Sequence, residues 1–463
     1  MFDTICAIAT GQGGAIGIVR VSGPDAISQT DKIFRSPKRK PLQEVKSATV
    51  NYGWILDEQG KTIDEVLVSV FRAPHSYTGE NSTEISCHNS PFILQKVVEL
   101  LLKNNCRLAK PGEYTQRAFL NGKMDLSQAE SVADLIAAKS SAAHRMAINQ
   151  MKGVFSNELK KLRDELIHIA SLMELELDFS DHEELEFADR KELLELVDKI
   201  ETKISKLAHS FQTGNAIKNG IPVAIVGETN VGKSTLLNAL LGEEKAIVSQ
   251  INGTTRDAIE DTVTINGLQF RFIDTAGIRE TEDQIEKLGI QKTFQKMEQA
   301  SIVLWLIDGK NFKQEKLKEN NEVDNIAKEK KTLLVINKAD QLSTESMETI
   351  QQELQDTFPY PIIFISAKEK TNLDQLKDKI VALTGISNNI EEEVIVSNLR
   401  HYEALSQALQ SIKRIKQGLT SSLPTDLIAQ DLRDCTYQLS DIVGEVTSTA
   451  ILHNIFQSFC IGK

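Results

Sequence analysis

The order of apolar and polar positions changes character three times along this chain. Residues 1–120 alternate short runs rich in β-branched residues with turn clusters; 15–21 and 65–71 are the clearest strands, and 91–102 carries apolar residues at helical spacing. This stretch predicts an α+β domain. From about 126 to 212 the period becomes helical and Gly and Pro almost disappear. Leu135, Ala138 and Ala142 would share one helix face, and Leu162, Leu166 and Ile169 another. Between 214 and 384 the buried-strand runs 222–226, 332–336 and 362–365 alternate with helical stretches, which predicts right-handed β-α-β crossovers and a mostly parallel sheet. Asn266-Gly267 between two strand-like runs is a hairpin signal. Beyond 385 the pattern is helical again, with Leu405, Leu409, Ile412, Ile415 and Leu419 forming an apolar stripe. The expected domains are therefore 1–120, 121–213, 214–384 and 385–463. The two helical segments are expected to pack as one bundle, with 214–384 inserted between them, because domain termini often lie close together.

With 463 residues the chain is too long for a single core. No apolar run approaches the ~20 residues that cross a bilayer, and the N-terminus lacks a basic-then-apolar leader, so a cytoplasmic protein without membrane contact is expected. The five cysteines contain no Cys-x-x-Cys, which indicates neither a zinc site nor a disulfide framework. A net charge of −12 argues against a broad nucleic-acid-coating surface, so any RNA contact must be local; Lys413, Arg414 and Lys416 are candidate spots. The carboxylate-rich stretch 174–189 reads as a solvated face.

The chemistry concentrates in the third segment. Residues 227–234 read Gly-Glu-Thr-Asn-Val-Gly-Lys-Ser, a loop whose amide groups wrap phosphates. Asn230, Val231 and Gly232, followed by Lys233, Ser234 and Thr235, are its candidate contacts. Lys233 puts a point charge on the terminal phosphate, and Ser234 offers a hydroxyl to Mg²⁺. Ser249, Thr254 and Thr255 lie downstream in a switch position, where Thr255 offers a second Mg²⁺ hydroxyl. Asp274-Thr275-Ala276-Gly277 follows a strand: Asp274 supports the magnesium shell, and Gly277 lets its backbone approach the γ-phosphate. Asn337-Lys338-Ala339-Asp340 ends another strand, and the Asp340 carboxylate can accept both N1–H and the exocyclic amine of guanine. Ser366-Ala367-Lys368 would back the base. The ordered set predicts a Ras-like P-loop GTPase domain. Ile278 stands where Ras-like enzymes carry a water-orienting glutamine, so hydrolysis is either slow or served by another residue; Glu286 on the following segment is a candidate. The side-chain oxygen of Asn230 could ligate a monovalent cation beside the phosphates.

Three stretches outside that segment, 3–23, 111–130 and the terminal Phe459-Cys460-Ile461-Gly462-Lys463, resemble the MnmE (TrmE) family of tRNA-modification GTPases. Thr229 sits where many members have proline. The resemblance implies a multidomain α/β fold: a Ras-like P-loop GTPase domain inserted into an α-helical bundle, with an N-terminal α+β domain that binds folate and forms a homodimer. Arg20, Glu80, Lys123 and Lys463 match folate-contacting positions, and Cys460 matches a cysteine needed for modification. K⁺ dependence maps onto Asn230, Ser249, Ile251 and Thr254, and Glu286 matches the catalytic glutamate. The implied cofactors are Mg²⁺, K⁺ and 5-formyl- or methylene-tetrahydrofolate. The implied partners are GTP, tRNA and an FAD-dependent protein called MnmG or GidA. Together they would add an aminomethyl or carboxymethylaminomethyl group to C5 of the wobble uridine. The rival readings are a ribosome-assembly or RNA-binding switch GTPase without modification chemistry, and an idle GTP-binding scaffold.

Overall fold

The computed structural model describes residues 3–11, 13–178, 190–242, 261–273, 298–314, 321–386, 393–421, 423–457 and 459–462. The chain divides into two compact units. The first comprises Met1–Ile136, Gln150–Thr202 and Ala404–Lys463, and the second Ala137–Asn149 and Lys203–Glu403.

The first unit opens with β1 (Ile5–Ile8), β2 (Ile16–Ser22), β3 (Phe34–Arg35), β4 (Thr49–Leu56), β5 (Thr62–Phe71), β6 (Ser82–His88) and β7 (Arg107–Leu108), in the sheet order β3-β4-β5-β6-β2-β1-β7. β1 pairs antiparallel with β2 and parallel with β7. Val19 and Val21 on β2, with Val66, Val68 and Val70 on β5, alternate into one face and pack on α1 (Ala26–Ile33) and α2 (Pro91–Lys103). That face is the core, as the period-2 alternation of a half-buried sheet requires. Pro91 stands in the first turn of α2, where its missing N–H costs nothing. Two further helices follow, α3 (Glu113–Leu120) and α4 (Leu126–Ala137).

The helical pattern then breaks earlier than its periodicity suggests. Ser140 accepts a hydrogen bond from the Ala143 amide at 3.2 Å and starts a new helix, α5 (Ser141–Met151), so Leu135 and Ala142 do not share a face. Ala142, Ala143 and Met146 pack into the core of the second unit, against Ile217, Ile221 and Leu268. α6 (Val154–Asp178) and α7 (Arg190–Asn219) come next. Leu159, Leu162, Leu166, Ile169 and Met173 form the buried stripe of α6.

The second unit holds a six-stranded sheet of β8 (Ile221–Val226), β9 (Asp261–Ile265), β10 (Leu268–Phe272), β11 (Ile302–Asp308), β12 (Lys331–Asn337) and β13 (Ile362–Phe364), ordered β13-β12-β11-β8-β10-β9. Every pairing is parallel except the β9–β10 hairpin. Its turn residues Asn266 and Gly267 have φ of 49° and 80°, the left-handed pair that an Asn-Gly hairpin adopts. α8 (Lys233–Gly242) follows β8; α9 (Asn321–Glu329), α10 (Thr344–Thr357) and α11 (Leu373–Thr384) complete the layers. Core clusters lie on both faces of this sheet, as a doubly wound parallel sheet demands.

Three helices close the chain: α12 (Leu399–Thr420), α13 (Thr425–Val443) and α14 (Thr449–Gln457). Within the first unit α13 packs along α6, and Arg433 pairs with Glu174 at 2.9 Å. The helical segments before and after the second sheet therefore do form one bundle. Arg414 is bonded to Asp431 at 2.6 Å, and Lys416 is shared by Asp198 and Glu201 at 2.8 and 2.9 Å. Two of the three candidate RNA-contacting cations are thus neutralised by neighbouring helices.

Candidate functional site

Parallel sheets place their sites at the carboxyl ends of the strands; here β11 and β12 end in register, and β8 ends beside them, its last residue Val226 opposite Trp305. β8 runs into the 227–232 loop, and α8 begins at once with Lys233 and the half-buried Ser234. The N-terminal amides of α8 face the loop, an arrangement suited to an anion. Gly232 takes φ of 101°, and a Cβ there would collide with the Asn337 amide nitrogen. Any side chain at Gly232 would therefore displace the loop. Asn230 also adopts the left-handed region, with φ of 61°. Lys233 Nζ donates to the carbonyls of Gly227 (2.8 Å) and Glu228 (2.6 Å), folding its charge over the loop.

The loops around the end of β12 are organised by Asn337, which is buried. Its Nδ2 donates to the Val231 carbonyl at 2.8 Å, and its Oδ1 accepts from the Ala367 amide at 2.9 Å. One side chain thus ties the phosphate loop, the 337–340 loop and the 366–368 loop together. Lys338 Nζ reaches the Asn230 carbonyl at 3.1 Å and Asp308 Oδ2 at 2.8 Å. Asp340 stays exposed, and a hydrogen bond from the Ser366 side chain holds its carboxyl below the usual range. Ala367 is buried and Lys368 exposed. Thr235 is exposed on α8. Ser249, Ile251, Thr254, Thr255, Asp274, Thr275, Ala276, Gly277, Glu286 and Lys463 lie outside the described residues. Asp308 escaped the sequence reading, although a carboxylate closing the apolar run 302–307 was visible.

A second site lies in the first unit: a cleft of about 310 Å³ whose walls include Arg20, Phe71, Tyr77, Thr78, Glu84 and Lys123. The Arg20 guanidinium stands 5.7 Å from the ring centre of Tyr77 and 5.6 Å from that of Tyr114, and it pairs with Glu84 at 2.8 Å. Burial pushes the Tyr77 phenol up, against the opposing hydrogen bond to Thr115 and the Arg20 charge. Lys123 Nζ donates to the Pro74 carbonyl at 3.1 Å. Glu80 does not line the cleft. It accepts from Ser22 Oγ at 2.8 Å and pairs with the buried Arg117 at 3.2 Å, on the inner side of the loop. The carboxylate that faces the cleft is Glu84, four residues on along the strand; sequence reasoning missed it because both positions are glutamates in one short run. The C-terminal segment is close by, since Arg20 NH1 donates to the Gly462 carbonyl at 3.2 Å. Cys460 is exposed, and its carbonyl accepts from the Gly112 amide at 3.4 Å.

Residues 4–123 match the family described as GTP-binding protein TrmE N-terminus, and residues 126–460 match the MnmE helical domain. The chain belongs to the MnmE family. The helical-domain match brackets the whole second sheet, as an insertion into the helical bundle requires. Among MnmE relatives, a Bacteroides thetaiotaomicron protein named tRNA modification GTPase MnmE is 57% identical over 465 residues, covering 100% of this chain and 99% of its own. Proteins of the same name from Parabacteroides distasonis and Flavobacterium johnsoniae are 55% and 51% identical; the matches cover 100% of this chain and 100% and 99% of theirs. As an MnmE-family chain, it carries both the nucleotide loops and the N-terminal cleft. Among the described residues no helix is long and apolar enough to cross a membrane. Nor, among them, do three or more His, Cys, Asp or Glu converge to hold a metal.

Proposed function

We propose that this protein hydrolyses GTP and, with an FAD-dependent MnmG-type partner, modifies C5 of the tRNA wobble uridine. The observation that carries the nucleotide half is the Asn337 clamp, which bonds the loop before Lys233 to the loops that carry Asp340 and Ala367. Asp340 is the guanine-reading carboxylate, and its ionised state suits a double acceptor for N1–H and the exocyclic amine. The modification half is supported by full-length similarity to proteins named for that activity.

The residues present fit the implied groups. Ser234 opens α8 directly behind the loop and supplies a hard oxygen suited to Mg²⁺, with Thr255 as its proposed companion. The left-handed Asn230 offers an amide oxygen of the kind K⁺ prefers, and Ser249, Ile251 and Thr254 are the proposed further ligands. The cleft pairs two cations, Arg20 and Lys123, with the aromatic walls Phe71 and Tyr77 and the carboxylate Glu84. That set matches a flat, amide-edged ring with an anionic tail, as in a reduced folate. When bound, the folate supplies the one-carbon unit. Glu84 and Arg20, paired at 2.8 Å, would meet the same part of the ligand, with Lys123 and Lys463 as the proposed further contacts. Cys460 lies on the segment that reaches the cleft and is proposed to act there. Homodimerisation through the N-terminal domain and a cytoplasmic location complete the reading.

GTP turnover measured in KCl and in NaCl tests the nucleotide half. Faster hydrolysis in KCl is expected. Glu286→Ala should bind GTP normally and hydrolyse it at least ~10-fold more slowly, a loss of about 1.4 kcal/mol of transition-state stabilisation. Equal rates in both salts would remove K⁺ from the account, and wild-type turnover in the variant would remove Glu286.

A further inference from the structure

The sheet order puts β11 between the phosphate-loop strand β8 and the base-loop strand β12. Neighbouring strands lie about 4.8 Å apart, so a side chain leaving the end of β12 must cross the end of β11 to reach the loop after β8. Lys338 makes that crossing, and its Nζ touches the Asn230 carbonyl at 3.1 Å. Midway it meets Asp308, the last residue of β11 and the register partner of Asn337.

We propose that Asp308 is a positioning residue of the nucleotide site, fixing Lys338 so that the base loop and the phosphate loop are held as one unit. This rests on reading the site as a guanine-nucleotide site and adds to it a residue outside the signature loops. The Asp308 carboxylate is itself well held. Oδ1 accepts from the Lys310 amide at 3.0 Å, and Oδ2 accepts from Asn311 Nδ2 at 3.0 Å as well as from Lys338 at 2.8 Å. The Gly309 amide donates to the Asn337 carbonyl at 2.9 Å, which presses the turn after β11 against the end of β12. The side chain of Asp308 is 13% exposed and that of Lys338 30%, so the pair is shielded from screening better than a surface ion pair. Burial pushes the Asp308 carboxyl up, but the bonds from Lys338 and Asn311 outweigh it and keep the group below the usual range. Lys338 needs this anchor because its own backbone is left-handed, with φ of 63°, and its stem is long. Without Asp308 the ammonium keeps one carbonyl partner, and the Asn230 conformation loses its fixed neighbour.

The test is the release rate of N-methylanthraniloyl-GDP from the full-length protein and from Asp308→Ala, Asp308→Asn, Lys338→Met and the Asp308→Ala/Lys338→Met double variant. A charge-assisted bond of this kind corresponds to roughly tenfold in an equilibrium. Asp308→Ala and Lys338→Met should each speed release by about that factor, with the double variant no faster than the faster single one. Asp308→Asn retains an acceptor for the Lys310 amide. It should melt at the wild-type temperature yet still release nucleotide faster, which a merely structural role would not produce. Wild-type release from Asp308→Ala, or effects that multiply in the double variant, would overturn the proposal. Failure of the wild-type protein to bind the fluorescent nucleotide would instead overturn the guanine-nucleotide reading beneath it.

Discussion

Asn337 and Val231 are joined by a 2.8 Å hydrogen bond between elements separated by about a hundred residues of sequence. The bond ties the 227–232 loop to the 337–340 loop, so the proposed phosphate and base contacts of the nucleotide would belong to one continuous framework.

Replacing Asn337 by alanine strands the Val231 carbonyl and the Ala367 amide together. Each buried unpaired group costs roughly 1–3 kcal/mol. The second unit should lose roughly that much stability or more and melt earlier, and GDP affinity should fall at least ~10-fold. Differential scanning calorimetry and equilibrium titration with a fluorescent GDP check both expectations.

The phosphate-loop motif, the base loop and the hairpin turn were legible because each is a contiguous string whose residue types have one physical use. What tied them together was not. The partners Asn337–Val231 and Lys338–Asp308 are distant in sequence and depend on which strands lie side by side. The same limit explains Glu80 and Glu84: the motif showed two glutamates, and only the bend of the loop around Arg117 decides which one faces the cleft. The helical period through 126–150 was real, but a Ser140 cap was enough to send α5 into a different core.

That docking of α5 rests on Gly267, whose carbonyl accepts from the Ala142 amide at 3.1 Å and whose φ is 80°. A Cβ at this position would run into Ser141 Oγ. Gly267→Val should destabilise the second unit by about 1–3 kcal/mol, combining left-handed strain with the clash. Adding Ser141→Gly should return part of that loss, which urea unfolding of the single and double variants would measure.

At the cleft, Glu84→Gln should weaken binding of 5-formyl-tetrahydrofolate at least ~10-fold, because it removes a charged acceptor and frees Arg20. Glu80→Gln should change the affinity by less than about threefold, since its contacts are to Ser22 and Arg117. Calorimetric titration of the two variants separates the roles.

Acid should weaken the first unit. Arg107, hydrogen-bonded to Asp3, is the main cause of a carboxyl pKa of about 2; burial opposes it, and the Arg107 charge and Arg117 add to the lowering. Burial raises Glu113, but bonds from Arg107 and Arg117 bring it below its usual value. A depressed folded pKa contributes stability that is complete above the unfolded value, near 4, and is lost as pH falls toward the folded one. The first unit should therefore lose stability between about pH 4 and pH 2. Arg117→Ala, with a side chain only 2% exposed removed from three carboxylates, should cost roughly 3–5 kcal/mol at neutral pH. It should also flatten that acid dependence. Circular dichroism melts across the pH range would register both effects.

Nucleoside mass spectrometry of tRNA from cells lacking this gene, before and after the gene is restored, tests the central claim most directly. The account predicts loss of the C5-modified wobble uridine in the deletion and its return with the wild-type gene. A nucleoside profile unchanged by the deletion would contradict it.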